Sequence, residues 1–98
     1  MLEKEIERVL VEQVKRLGGR AYKWVSPGND GVPDRIVILP GERPCFVEMK
    51  TETGKLSRLQ ELQIGRLRKL GQDVRVLHGI QEVDAFLEEC ERKMGYGI

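Results

Sequence analysis

"PDRIVILPGERPCFVEMK", residues 33 to 50, decides how this chain is read. Two runs rich in Ile, Val and Phe flank a short turn at residues 40–43 that holds Pro40 and Gly41. That pattern predicts an antiparallel β-hairpin with strands near residues 34–39 and 45–50. Yet Asp34 opens the first strand, and Glu48 and Lys50 stand near the end of the second. Side chains alternate faces along a strand. Glu48, Lys50 and Phe46 therefore share one face, and Cys45, Val47 and Met49 share the other. Asp34 goes with Ile36 and Ile38, and the hairpin brings it opposite the region of Glu48 to Lys50. The three charges converge at the end of the hairpin away from the turn.

Two carboxylates and an ammonium in that arrangement suit one kind of chemistry. Carboxylate oxygens are hard ligands for Mg²⁺ or Mn²⁺, which keep several waters and take a substrate phosphate. A cation held there activates water and stabilises charge on a phosphoryl oxygen, and a neighbouring lysine positions the attacking water and offsets the developing charge. The competing reading is a surface salt bridge, worth about 0–1 kcal/mol.

The flanking sequence completes an α/β pattern. Leu2, Ile6, Val9, Leu10, Val14 and Leu17 recur at three- and four-residue steps, predicting a helix over residues 2–18 that stops at Gly18-Gly19. Residues 21–25 form a short strand candidate, and "SPGNDGVP", residues 26–33, is a loop by composition. Ser57 and Gln60 form an S-x-x-Q capping box at the start of a second helix. Leu59, Leu62, Leu67 and Leu70 lie on or near one face of that helix, which ends at Gly71. "DVRVL", residues 73–77, is a further strand, expected to run parallel to an earlier one after the helical crossover. A last helix spans about residues 80–93, with Val83, Phe86, Leu87 and Cys90 facing inward. The order is α-β-β-β-α-β-α.

Pro33-Asp34, thirteen intervening residues, and Glu48-Met49-Lys50 resemble the PD-(D/E)xK nuclease motif. The wider stretch "GVPDRIVI…FVEMK…GKLSRLQ…LRKLGQDVRVL" resembles the virus-type replication-repair nuclease family, VRR-NUC, as a minimal stand-alone member of the kind phages carry. The resemblance implies a restriction-endonuclease-like α/β fold, with a mixed central sheet flanked by helices, and a metal-dependent DNA endonuclease. It makes Asp34 and Glu48 metal ligands, Lys50 the catalytic lysine and the Met49 backbone carbonyl an extra ligand. It also implies an acidic residue in the first helix, best matched by Glu3, with Glu7 the alternative one turn on. Gln60 matches the family's glutamine after the motif strand, where it helps orient the water or the phosphate. The capping box competes for the same side chain, and Gln63 is a weaker candidate for the role. Stand-alone members imply branched DNA such as a Holliday junction as substrate, and a homodimer as the acting form.

Other features bound the reading. The 98 residues suit one domain, residues 1–98. The formal net charge of +1 does not itself point to nucleic acid, but basic residues cluster around Lys15–Lys23 and Lys55–Lys69. Lys23, Asn29, Arg35, Lys55 and Arg58 are candidate DNA contacts, with Tyr22 and Gly31 beside them. Trp24 reads as core, His78 as structural and Asp30 as turn chemistry. Cys45 and Cys90 lack zinc-ligand spacing and read as free thiols in a reducing compartment, the cytoplasm of a bacterial host for a phage protein. No apolar run is long enough for a membrane, so no membrane partner is expected. The rival classes are a non-catalytic DNA-binding or assembly module that keeps the nuclease fold, and a general or end-processing nuclease.

Overall fold

In a computed structural model that describes residues 1–95, four strands and three helices follow one another in the expected order. They are α1 (Glu3–Arg16), β1 (Arg20–Lys23), β2 (Arg35–Ile38), β3 (Cys45–Lys50), α2 (Arg58–Lys69), β4 (Asp73–His78) and α3 (Gly79–Lys93). The elements differ from the sequence expectation by a residue or two at their ends, where helices fray and strand pairing stops.

The strands form one mixed sheet in the order β1-β2-β3-β4. β1 with β2, and β2 with β3, pair antiparallel, whereas β3 and β4 run parallel across the α2 crossover. The register sets Arg35 opposite Val47 and Glu48 beside Val76, so Asp34 arrives next to Glu48 at the open end of the hairpin. Turn closure uses Gly41, at φ +74°, with the Glu42 N–H donating to the Leu39 carbonyl at 3.1 Å.

The two sheet faces carry different loads. Val37, Val47, Met49 and Leu77 point to one face and join Ile6, Leu10 and Val14 of α1 and Val83, Phe86, Leu87 and Cys90 of α3 in a single buried cluster. The four-residue spacing of Ile6, Leu10 and Val14 puts them in a row on α1, all fully buried. Fully burying a side chain of this kind contributes about 1.5–3 kcal/mol, so this face holds most of the fold's stability. β3 is buried along nearly its whole length, as expected for a strand with neighbours on both edges and helices on both faces.

α2 lies on the other face, and there the leucine pattern misleads. Leu59, Leu62 and Leu70 are exposed, Leu67 is half-buried, and Ile64 is the residue α2 buries. The leucine stripe is displaced from the packed side by part of a turn, because the side facing the sheet also has to present Gln60. Trp24 is half-buried on this face, its ring centroid 5.2 Å from that of Phe46, in line with a packing role. His78 precedes α3 and its N–H donates to Glu82 Oε1 at 2.9 Å, a structural contact at the helix start.

Candidate active site

The site is built where β2 enters and β3 leaves the sheet. Pro33 is fully buried and holds the chain at the point where the loop becomes β2. The next residue, Asp34, accepts a hydrogen bond on Oδ2 from the Met49 N–H at 2.9 Å. That bond takes the place of a strand-to-strand link and pins the carboxylate against β3 at Glu48 and Met49.

Glu48 is 2% exposed, the one buried charged residue in the described structure. Its Oε2 accepts from Gln60 Nε2 at 3.0 Å and lies 3.8 Å from Lys50 Nζ. Its Oε1 is buried with no hydrogen-bond partner, a distinction no other side-chain atom among the described residues shares. Leaving a buried carboxylate oxygen unpaired is costly. Burial first, and then the Asp34 carboxylate, push the Glu48 carboxyl up to about 8, against the opposing pull of Lys50. The Glu3 carboxylate adds to the rise, so the N-terminus of α1 comes within electrostatic reach of Glu48.

Glu7 is placed differently. Its Oε2 accepts from Arg35 Nε at 2.6 Å, and Arg35 Nη1 donates to the Ala21 carbonyl at 3.1 Å. Arg35 follows Asp34, so alternation turns it to the α1 side of the sheet, and the Glu7–Arg35 pair sits on the face opposite Glu48. Between the two first-helix candidates, Glu3 is the one whose charge bears on the Glu48 carboxyl, and Glu7 is paired with Arg35 on the opposite face.

Gln60 corrects the expectation that the helix cap and the active site compete for it. Its two amide ends do different jobs. Oε1 accepts from the Ser57 N–H at 2.9 Å, and the Gln60 N–H donates to Ser57 Oγ at 3.1 Å, which completes the capping box. Nε2 remains free to hold Glu48.

The remaining candidates are scattered over the surface and the loops. Lys23 is exposed at the end of β1, on the same sheet face as Arg35. Asn29 is held within its loop, Nδ2 donating to Ser26 Oγ at 2.9 Å. Lys55 and Arg58 are exposed around the start of α2, near Gln60 in sequence. Gln63 donates to the Asp30 carbonyl at 3.4 Å and so ties α2 to the loop before Asp34. Gly31 in that loop has φ +92°, and a Cβ there would come within 2.6 Å of the Leu59 carbonyl. The loop therefore presses backbone to backbone on α2 just before Gln60, which only glycine permits.

Among the described residues no three His, Cys, Asp or Glu side chains stand close enough together to hold a metal ion. A cation at this site would rest on Asp34 and on Oε1 of Glu48, with Met49's carbonyl as a backbone donor and water or phosphate oxygens completing its shell. The oxygen-only donor set and the unpaired Oε1 fit a hard divalent cation that keeps much of its water. Cys45 and Cys90 are free and buried on the far side of the sheet, where burial raises both thiols, Cys45 to about 12 and Cys90 to about 11. They take no part in the site.

The comparisons with known proteins agree with this fold. Residues 2–81 match the model of the VRR-NUC domain. Over 75 residues the chain is 48% identical to "Putative nuclease p44" of Acyrthosiphon pisum secondary endosymbiont phage 1, spanning 76% of this chain and 81% of that relative. A solved VRR-NUC domain superposes with a TM-score of 0.82 at 34% identity, covering 88% of this chain and 94% of that one. A second VRR-NUC domain protein, 20% identical with a TM-score of 0.75 over 94% of this chain and 89% of that one, shares the fold. With residues 2–81 matched to that domain and a nuclease relative at 48% identity, the chain belongs to the VRR-NUC family of nucleases.

Proposed function

We propose that this protein is a Mg²⁺- or Mn²⁺-dependent endonuclease that hydrolyses phosphodiester bonds in branched DNA and acts as a homodimer on four-way junctions. The observation that carries the chemistry is Oε1 of Glu48, buried and unpartnered on a carboxyl that the neighbouring Asp34 charge pushes up, with Lys50 Nζ 3.8 Å from its other oxygen. A buried carboxylate kept short of a partner is costly unless a cation completes it.

When bound, a divalent cation supplies Lewis-acid stabilisation of the phosphate and lowers the pKa of water. The chain's own residues do the rest. Asp34 is fixed by the Met49 N–H, so one oxygen is tied to the strand and the other is left for the cation. Glu48 is held on one oxygen by Gln60 and presents the other. Lys50, half-buried at the end of β3, keeps its ammonium at the carboxylate edge, where it positions the attacking water and offsets charge growing on the phosphate. Glu3 joins through a water on the cation. Lys55 and Arg58, exposed around the start of α2, suit DNA phosphates.

A junction has two-fold related strands and needs two paired nicks, so a C₂ dimer supplies two sites in matching symmetry. The similarity to a phage protein supports a role in the cytoplasm of a bacterial host. No helix among the described residues is long and apolar enough to cross a membrane.

The test is a gel assay on end-labelled linear, flap and four-way-junction DNA with Mg²⁺, Mn²⁺ or EDTA, paired with light scattering. Paired symmetric nicks in the junction by a dimer, absent in EDTA, are expected. Equal cutting of linear and junction DNA by a monomer would leave a general nuclease. Binding without cutting in either metal would leave a DNA-binding module.

A further inference from the structure

We infer that the backbone N–H of Ser57 is a positioning group for the active site: by holding Oε1 of Gln60 it turns the other end of the amide, Nε2, toward Glu48. The inference rests on the reading of Asp34, Glu48 and Lys50 as the nuclease centre.

An amide side chain is symmetric in shape but not in charge. Turned one way Gln60 donates to Glu48 Oε2; turned the other way its carbonyl oxygen would face a carboxylate oxygen and repel it. The contact with Glu48 disfavours the reversed amide, but alone it does not keep the side chain from swinging away from the carboxylate. The capping box does. The Ser57 N–H donates to Gln60 Oε1 at 2.9 Å while Gln60 Nε2 donates to Glu48 Oε2 at 3.0 Å, so both ends of the amide are fixed at once. An N–H can only donate, so the cap selects the orientation in which the NH₂ group faces Glu48.

The consequence reaches the metal-facing atom. Glu48 Oε2 is engaged by Gln60 and stands near Lys50, which leaves Oε1 as the unpartnered oxygen. Had Gln60 been free to swing, either carboxylate oxygen could take the outward place. The start of α2 thus sets which oxygen of Glu48 is presented. The coupling also places the loop in the same unit, because Gly31 packs on the backbone at Leu59 and Gln60, one residue from the amide's own Cα.

The N-cap geometry allows a clean separation. Ser57 has φ −73°, a value proline adopts. Ser57→Ala and Ser57→Pro both remove the hydroxyl that caps Gln60's N–H, but only Ser57→Pro also removes the N–H that holds Gln60 Oε1. The comparison of the two isolates the proposed contact. The junction-cleavage rate at saturating Mg²⁺ is expected to be about tenfold lower in Ser57→Pro than in Ser57→Ala. In a Gln60→Ala background the two should cleave equally, because the N–H then has nothing to orient. A difference that persists in Gln60→Ala would assign the effect to the helix fold and overturn the inference, as would equal rates in the Gln60 background.

A readout without activity keeps the inference separate from the nuclease reading. In EDTA, the side-chain amide protons of Gln60, followed by NMR, should be protected from exchange in Ser57→Ala and rapidly exchanging in Ser57→Pro. Equal exchange in the two would refute the positioning even if the protein proves to be an active nuclease. Protection confined to Ser57→Ala would sustain it even if no DNA is cut.

Discussion

Replacing Asp34 by asparagine separates the cost of the site from its use. Asparagine has nearly the same shape, and its carbonyl can accept the Met49 N–H that Asp34 Oδ2 accepts at 2.9 Å, so the strand junction should survive. What changes is the charge beside Glu48. The Glu48 carboxyl lies at about 8 instead of 4.5 in the metal-free protein, with burial as the first cause and Asp34 as the second. A displacement of that size corresponds to roughly 5 kcal/mol. Burial takes the larger part, so loss of the Asp34 charge returns only about 1–2 kcal/mol. The sign follows from proton linkage. Between pH 4.5 and 8 the folded Glu48 holds a proton that the unfolded one has released. Metal-free stability therefore falls as pH rises through that window, and the penalty is fully present above it. In EDTA near pH 8, Asp34→Asn should melt about 5 °C higher than the natural protein, with the gap closing as pH falls toward 5. With Mg²⁺ the order should reverse, because the cation stabilises the protein that binds it better. Cleavage should fall by about a thousandfold, some 4 kcal/mol of transition-state stabilisation. Circular-dichroism melts across pH, with and without Mg²⁺, read the first two effects. A variant that melts lower in EDTA at pH 8, or gains as much from Mg²⁺ as the natural protein, would refute the reasoning that the two carboxylates repel until a cation joins them.

Lys50→Ala should lose cleavage while calorimetry shows Mn²⁺ binding largely retained, since an ammonium is no ligand; parallel loss of both would give Lys50 a different role. Glu3→Gln should weaken Mn²⁺ binding, whereas Glu7→Gln should leave Mn²⁺ affinity intact and lower the melting temperature modestly by removing the partner of the half-buried Arg35; the opposite pattern would exchange their assignments. Gly31→Ala forces a Cβ to within 2.6 Å of the Leu59 backbone and a φ of +92° on alanine, so it should destabilise by about 2 kcal/mol or more and slow cleavage through displaced Gln60. An alanine variant as stable and active as the natural protein would show that the loop does not press on α2.

Much of this is legible in the sequence because hairpin alternation is rigid. Once the turn is set at residues 40–43, the faces of Asp34, Glu48 and Lys50 follow, and the observed register puts them together. The same rule held information that spacing on α1 did not. Glu3 and Glu7 lie one turn apart on one helix face and are indistinguishable there. The partner of Glu7 is fixed by Arg35, whose place after Asp34 turns it to α1 and away from Glu48. α2 was less legible. Its leucines are the strongest apolar signal, yet Ile64 is what it buries, because the helix is rotated to bring Gln60 to Glu48. The two uses of Gln60 looked exclusive because a sequence names a residue and not its atoms; donor and acceptor ends of one amide can serve both. The unpaired Oε1 of Glu48 had no sequence signal, since it depends on how completely α2 and the hairpin exclude water.

The central claim is that Glu48, buried beside Asp34 and Lys50, is the ligand of a cation that drives DNA hydrolysis. Its most direct test is the single-turnover cleavage rate of a labelled four-way junction by the natural protein and by Glu48→Gln, each in Mg²⁺ and in EDTA. The account predicts cleavage only by the natural protein with Mg²⁺, and a Glu48→Gln protein that is folded, binds the junction and leaves it uncut. Cleavage by Glu48→Gln at the natural rate, or cleavage by the natural protein in EDTA, would contradict it.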